Sequence, residues 1–115
     1  MAKSNPPPLI STLLSSNIKK ARNKLDLSQQ QLAERCSLST AYIAEIEIGR
    51  KFPSASTLQK IADSLSLKPY QLFFDDEEWK NFDRYTELTD LLGELKETVN
   101  TEISRTIENR LKHWQ

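Results

Sequence analysis

Two glycines, one cysteine and one histidine are all that this 115-residue chain contains of those residues, and each scarcity excludes a class of chemistry. Gly49 and Gly93 share no loop, so no glycine-rich phosphate cradle exists. Cys36 has no second cysteine to pair with, and the lone His113 stands at the far C-terminal end. A multi-ligand zinc site and a compact Cys–His nucleophile pair are therefore excluded. The reading is of a non-enzyme with no catalytic residues, no metal and no cofactor. No apolar run approaches the ~20 residues of a membrane span. The opening Met1-Ala2-Lys3-Ser4-Asn5-Pro6-Pro7-Pro8 lacks the apolar stretch of a signal peptide, so a cytoplasmic protein with no membrane association is expected. An excess of one charge is also missing, with 16 Lys and Arg against 16 Asp and Glu. That zero is a sum of opposites. Residues 1–74 carry ten basic and five acidic side chains, and residues 75–115 carry six and eleven. Such an asymmetry points towards nucleic acid despite the neutral total.

What is present is helical periodicity. Residues 1–8 read as a flexible arm, since three successive prolines favour an extended polyproline conformation. Leu9, Leu13, Leu14, Ile18, Ala21 and Leu25 then recur at helical spacing and predict one buried stripe. Ser28 followed by Gln31 forms a capping box that opens a second helix, from Gln29 to about Cys36. After the turn Ser37-Leu38, Ser39 caps a third helix from Thr40 to about Ile48, with Ile43 and Ile46 inward. Gly49 suits a left-handed helix end. Arg50 and Lys51 make the following loop basic, Ser54 caps a fourth helix, and Pro69 opens a short fifth one, Tyr70 to Phe74.

Two short helices joined by a tight turn inside a small bundle is the helix-turn-helix arrangement. The run Leu27-Ser28-Gln29-Gln30-Gln31-Leu32-Ala33-Glu34-Arg35-Cys36-Ser37-Leu38-Ser39, its sequel from Tyr42 to Ser54, and the segment Leu58 to Leu65 resemble the phage-repressor-like (Xre-type) helix-turn-helix family over roughly Leu14 to Phe74. The resemblance implies an all-α, five-helix DNA-binding domain spanning 9–74. It implies that Thr40, Ala41, Ala44 and Glu45 face base edges, where the first two can touch a thymine methyl and Glu45 can accept from cytosine N4. Gln29 matches a position that clasps a phosphate at a helix start, and Ser39 and Tyr42 are further candidates. Lys19, Lys20, Arg50 and Lys51 are candidate phosphate contacts from their charge and place. Arg22 and Glu47 match a pair that forms a buried ion pair in this family, and Arg22 is also a candidate phosphate contact. Ser37 departs from the pattern, because the family most often has glycine in this turn. A left-handed serine there costs about 1 kcal/mol.

The remaining residues, 75–115, form an acidic helical region. The acids Asp75 to Glu78 suit a helix N-terminus, and apolar residues follow at steps of three and four. Leu88, Leu92, Leu95, Val99, Ile103, Ile107, Leu111 and Trp114 mark a stripe with an 11-residue repeat, which gives a straight or slightly right-handed seam. That stripe predicts homodimerisation, with parallel and antiparallel pairing both open. Gly93 and Asn100 are weak helix formers, so a single helix and a hairpin broken at either remain alternatives.

The expected function is a dimeric, sequence-specific regulator, a repressor of bacterial or phage type that occupies a palindromic operator and sits on the nucleoid when bound. The alternative is an adaptor or antitoxin-like module whose C-terminal helices bind a partner protein.

Overall fold

The computed structural model describes Pro6 and residues 8–114. The arm expected over 1–8 lies outside the described residues except for Pro6 and Pro8. The elements are α1 (Leu9–Lys24), α2 (Gln29–Cys36), α3 (Thr40–Glu47), α4 (Ala55–Ser64), a 3-10 helix (Pro69–Phe73) and α5 (Asp76–Lys112). No strand occurs among the described residues. The chain divides into two compact units, one up to Asp75 and one from Asp76 onward.

In the first unit, Leu14 and Ile18 of α1 meet Leu32, Ala33 and Cys36 of α2, Ile43 and Ile46 of α3, Ile61 and Ala62 of α4, and Leu72 of the 3-10 helix. Apolar burial of this kind supplies the main folding drive, at about 25 cal/mol per Å². The α1 stripe is shorter than its spacing predicts. Leu9, in the first turn, is 73% exposed, and Leu25, beyond the last turn, is also exposed. Both lie past the reach of the neighbouring helices. A polar residue, Asn17, is buried within the stripe instead.

Local rules set the boundaries. The Ser28 hydroxyl accepts from the Gln31 N–H at 3.0 Å, and Gln31 Oε1 accepts from the Ser28 N–H at 2.8 Å. Ser39 and Ser54 accept from the N–H groups of Tyr42 and Thr57. Each cap satisfies one helix-start donor that has no partner within the helix.

The four helix ends share one geometry. Asp26, Ser37 and Ser66 all stand at φ 56, and Gly49 at φ 80. The next residue in each case sends its N–H back five positions: Leu27 to Arg22 O, Leu38 to Ala33 O, Arg50 to Glu45 O and Leu67 to Ala62 O. This is the Schellman closure, which normally carries an apolar residue at that place. Three ends have leucine there. The end of α3 has an exposed arginine.

The expected fifth helix is a 3-10 helix. Pro69 opens it, and Gln71 Oε1 accepts from the Lys68 N–H at 2.7 Å. Its five residues are too few for regular α-helical bonding to develop.

The second unit is one uninterrupted helix of 37 residues, so the hairpin alternative does not hold. Gly93 has nothing within 4 Å of where a Cβ would stand, and no inserted group or proline forces a kink there. Asp76, Glu77 and Glu78 occupy the first turn and Arg110 and Lys112 the last, in keeping with the helix dipole. Within this unit no described residue is buried, and Leu88, Leu92, Leu95, Val99, Ile103, Ile107 and Leu111 are each more than half exposed.

Candidate nucleic-acid interface

The third helix, α3, is held from behind. Ile43 and Ile46 are wholly buried, which turns Thr40 and Ala41 to solvent and leaves Ala44 and Glu45 half-covered. Its C-terminal half is fixed by charge. Arg22 Nη2 lies 2.9 Å from Glu47 Oε1, and Nε donates to Oε2 at 3.0 Å. Arg22 Nη1 donates to the Leu27 carbonyl at 2.7 Å. The Glu47 side chain is 2% exposed and that of Arg22 11%. A forked, doubly bonded pair of this kind fixes orientation as well as energy. It joins α1, the α1–α2 turn and α3 in one clamp.

Two further ties do not follow from the sequence pattern. The Ser15 Oγ lies 2.8 Å from both Ser11 O and Ile46 O, so its single O–H can donate to either carbonyl, the second being in the last turn of α3. Asn17 Nδ2 donates at 2.8 Å to Leu72 O and to Phe74 O, fastening the 3-10 helix to α1. The signal available was their placement: polar residues beside Leu14 and Ile18 on a helix that packs inward must find partners or carry a desolvation cost.

The basic loop after α3 folds back over the helix. Lys51 Nζ lies 3.0 Å from Glu45 Oε2 and 5.8 Å from the centre of the Tyr42 ring. Glu45, Lys51 and Tyr42 thus form one cluster, although the sequence treats them as three separate candidates. Tyr42 also packs on the core. Arg50 is exposed, its backbone closing α3 while its side chain occupies the place where the other three ends bury leucine. Gln29 is the first residue of α2 and half-exposed, and Ser39 is the N-cap of α3. Lys19 and Lys20 lie exposed on α1. Thr40, Ala41, Ser39, Tyr42, Glu45 and Lys51 are brought together on or beside α3.

Such a surface has the parts of a duplex-reading site: a short helix with small side chains on its free face, helix starts with unpaired N–H groups, and flanking cations. Comparison with known proteins agrees. A family model described as Helix-turn-helix matches residues 18–72. The Immunity repressor protein of Bacillus phage phi105 is 42% identical over 55 residues, 48% of this chain and 38% of the repressor. Control protein C.BamHI of Bacillus amyloliquefaciens is 33% identical over 64 residues, 55% of this chain and 79% of that protein. Against solved structures, a hypothetical transcription factor from Neisseria superposes with a TM-score of 0.61 at 25% identity, over 71% of this chain and 97% of that one. The restriction-modification controller protein C.AhdI from Aeromonas hydrophila gives a TM-score of 0.52 at 28% identity, over 56% and 96%. The chain spans only about two-fifths of the length of the phage repressor and of the mycobacterial regulators that also match. No described helix is long and apolar enough to cross a membrane.

Proposed function

The chain belongs to the helix-turn-helix family of DNA-binding transcriptional regulators, and from that premise we propose that it acts as a homodimer that occupies a palindromic operator and represses by excluding polymerase. Two compact units divide the work, residues 9–74 binding DNA and 75–115 pairing the chains. The observation that carries the reading is α3 itself: clamped by Arg22 and Glu47, presenting Thr40 and Ala41 outward, and bordered by Arg50 and Lys51.

In this reading α3 enters the major groove. Thr40, Ala41 and Ala44 offer methyl groups to thymine, and Glu45 accepts from cytosine N4. Phosphates are held by Gln29 and the α2 start, by the Ser39 and Tyr42 hydroxyls, and by Lys19, Lys20 and Arg50. Lys51 has two roles. It neutralises Glu45 in the free protein and swings to a phosphate when Glu45 finds its base. Arg22 is chiefly a positioning residue. Its bonds to Glu47 and Leu27 leave two of its five N–H groups for a phosphate.

The apolar stripe of α5 supports pairing, because a contiguous exposed apolar face on a single chain marks an interaction surface. Two copies then read two half-sites related by the same twofold axis. Selection from a random duplex pool tests the proposal. An inverted repeat is expected, bound with an affinity that falls steeply with salt. Failure to retain any duplex at low salt overturns it in favour of an adaptor, which needs no phosphate-binding surface.

A further inference from the structure

The pairing of α5 has a direction, and this inference rests on the dimer reading above. We infer that α5 packs against the α5 of a second copy in antiparallel orientation, about a twofold axis level with Thr101.

The first observation is the spacing of the apolar residues. Between Leu88 and position 101 they stand at Val99, Leu95, Leu92, Leu91 and Leu88. Above it they stand at Ile103, Ile107, Leu111 and Trp114. Each residue of the first set except Leu92, which stands level with Arg110, has a mate equally far from 101 in the second. The apolar residues from Leu88 to Leu111 lie on one unbroken helix, Trp114 stands two residues past its end, and all are more than half exposed. At about 100° per residue, Val99 and Ile103 lie about 40° apart on one face, so an axis at this level passes between them through the middle of the stripe. An antiparallel twofold then sets Val99 on Ile103, Leu95 on Ile107 and Leu88 on Trp114. Parallel pairing opposes each residue to itself and needs no such mirror.

Charge is the second observation. Residues 76–94 hold seven acids and two bases, whereas residues 96–112 hold three acids and four bases. Parallel pairing lays the strongly acidic halves side by side, and like charges facing each other along a helix pair are destabilising. The antiparallel arrangement sets Glu97 level with Arg105 and Asp90 level with Lys112, against one like pair, Glu94 with Glu108. It also leaves the most acidic turns, before Leu88, outside the overlap. The two chains therefore enter the paired helices from opposite ends.

Nitroxide labels on the full-length protein test this through Asp83→Cys and Thr101→Cys, both at exposed positions. Cys36 is buried and stays unlabelled, which the parent chain checks. Labels at 101 are expected within about 30 Å of each other, since paired helices lie roughly 8–10 Å apart. Labels at 83 stand eighteen residues either side of the axis and are expected about 54 Å apart. Short distances at both sites overturn the antiparallel inference and leave the dimer standing. No dipolar coupling at either site overturns the dimer as well.

Discussion

Arg22 and Glu47 show how one pair of side chains sets the orientation of a whole helix. Both are largely buried, and the carboxylate accepts from two guanidinium nitrogens. Glu47→Ala leaves the arginine without its partner, so a loss of roughly 3–5 kcal/mol of unfolding free energy is expected in urea titration. Arg50 tests the interface more directly. It spends no side-chain apolar surface on closing its helix, so Arg50→Ala should leave stability nearly unchanged. It should reduce the slope of log K against log salt by about 0.9. The pair was legible in the sequence through the family resemblance, and the exposure of Arg50 through its charge beside a helix end. The bond between Lys51 and Glu45 was not. It depends on the loop folding back over α3, and a separation of six positions does not specify that. Ser15 and Asn17 were overlooked for a related reason: a periodicity argument counts apolar residues and passes over the polar ones buried among them.

At the scale of the element, capping and closure rules were the most readable part of the sequence, because they act within a few residues. Ser28, Ser39 and Ser54 each stand where the hydroxyl meets a helix-start N–H. The 3-10 form of the segment after Pro69 was less readable, since α and 3-10 turns share the same opening residues. Ser37 gives a measurable consequence. It holds φ 56 at the turn between α2 and α3, where an L side chain is strained and glycine is not. Ser37→Gly is expected to raise stability by about 0.5–1 kcal/mol with DNA affinity unchanged, read by thermal melting and gel shift. In α5, Gly93→Ala meets no neighbour and should favour the helix by about 1 kcal/mol. A hairpin with its bend at Gly93 would instead be weakened by that substitution.

The whole molecule separates its charges as it separates its units. The basic excess lies before residue 75 and the acidic excess after it, so in the proposed reading the acidic helix is repelled by the duplex that the first unit would bind. Among the described residues, all the buried apolar ones belong to the first unit. The chain cut after Phe74 is therefore expected to fold and to sediment as a monomer. Each copy should bind random duplex more tightly than the full chain does, while losing the gain from two linked half-sites. Dimer formation by the cut chain, at the same concentrations as the parent, would move the pairing surface away from α5. The exposed stripe itself was legible in the sequence through its spacing. A single helix was one of two open alternatives, because Gly93 and Asn100 weaken the local propensity without deciding the outcome.

With no buried residue in α5, pairing through that helix as proposed would make protein dose a control variable. A long helix with an exposed apolar stripe gains order when a second chain covers it, so helix content is expected to fall on dilution in far-ultraviolet circular dichroism. By mass action, halving the chain concentration in the dilute regime cuts the dimer about fourfold. Operator occupancy would then drop more sharply than copy number when a cell divides or synthesis pauses, and derepression would need no small-molecule signal.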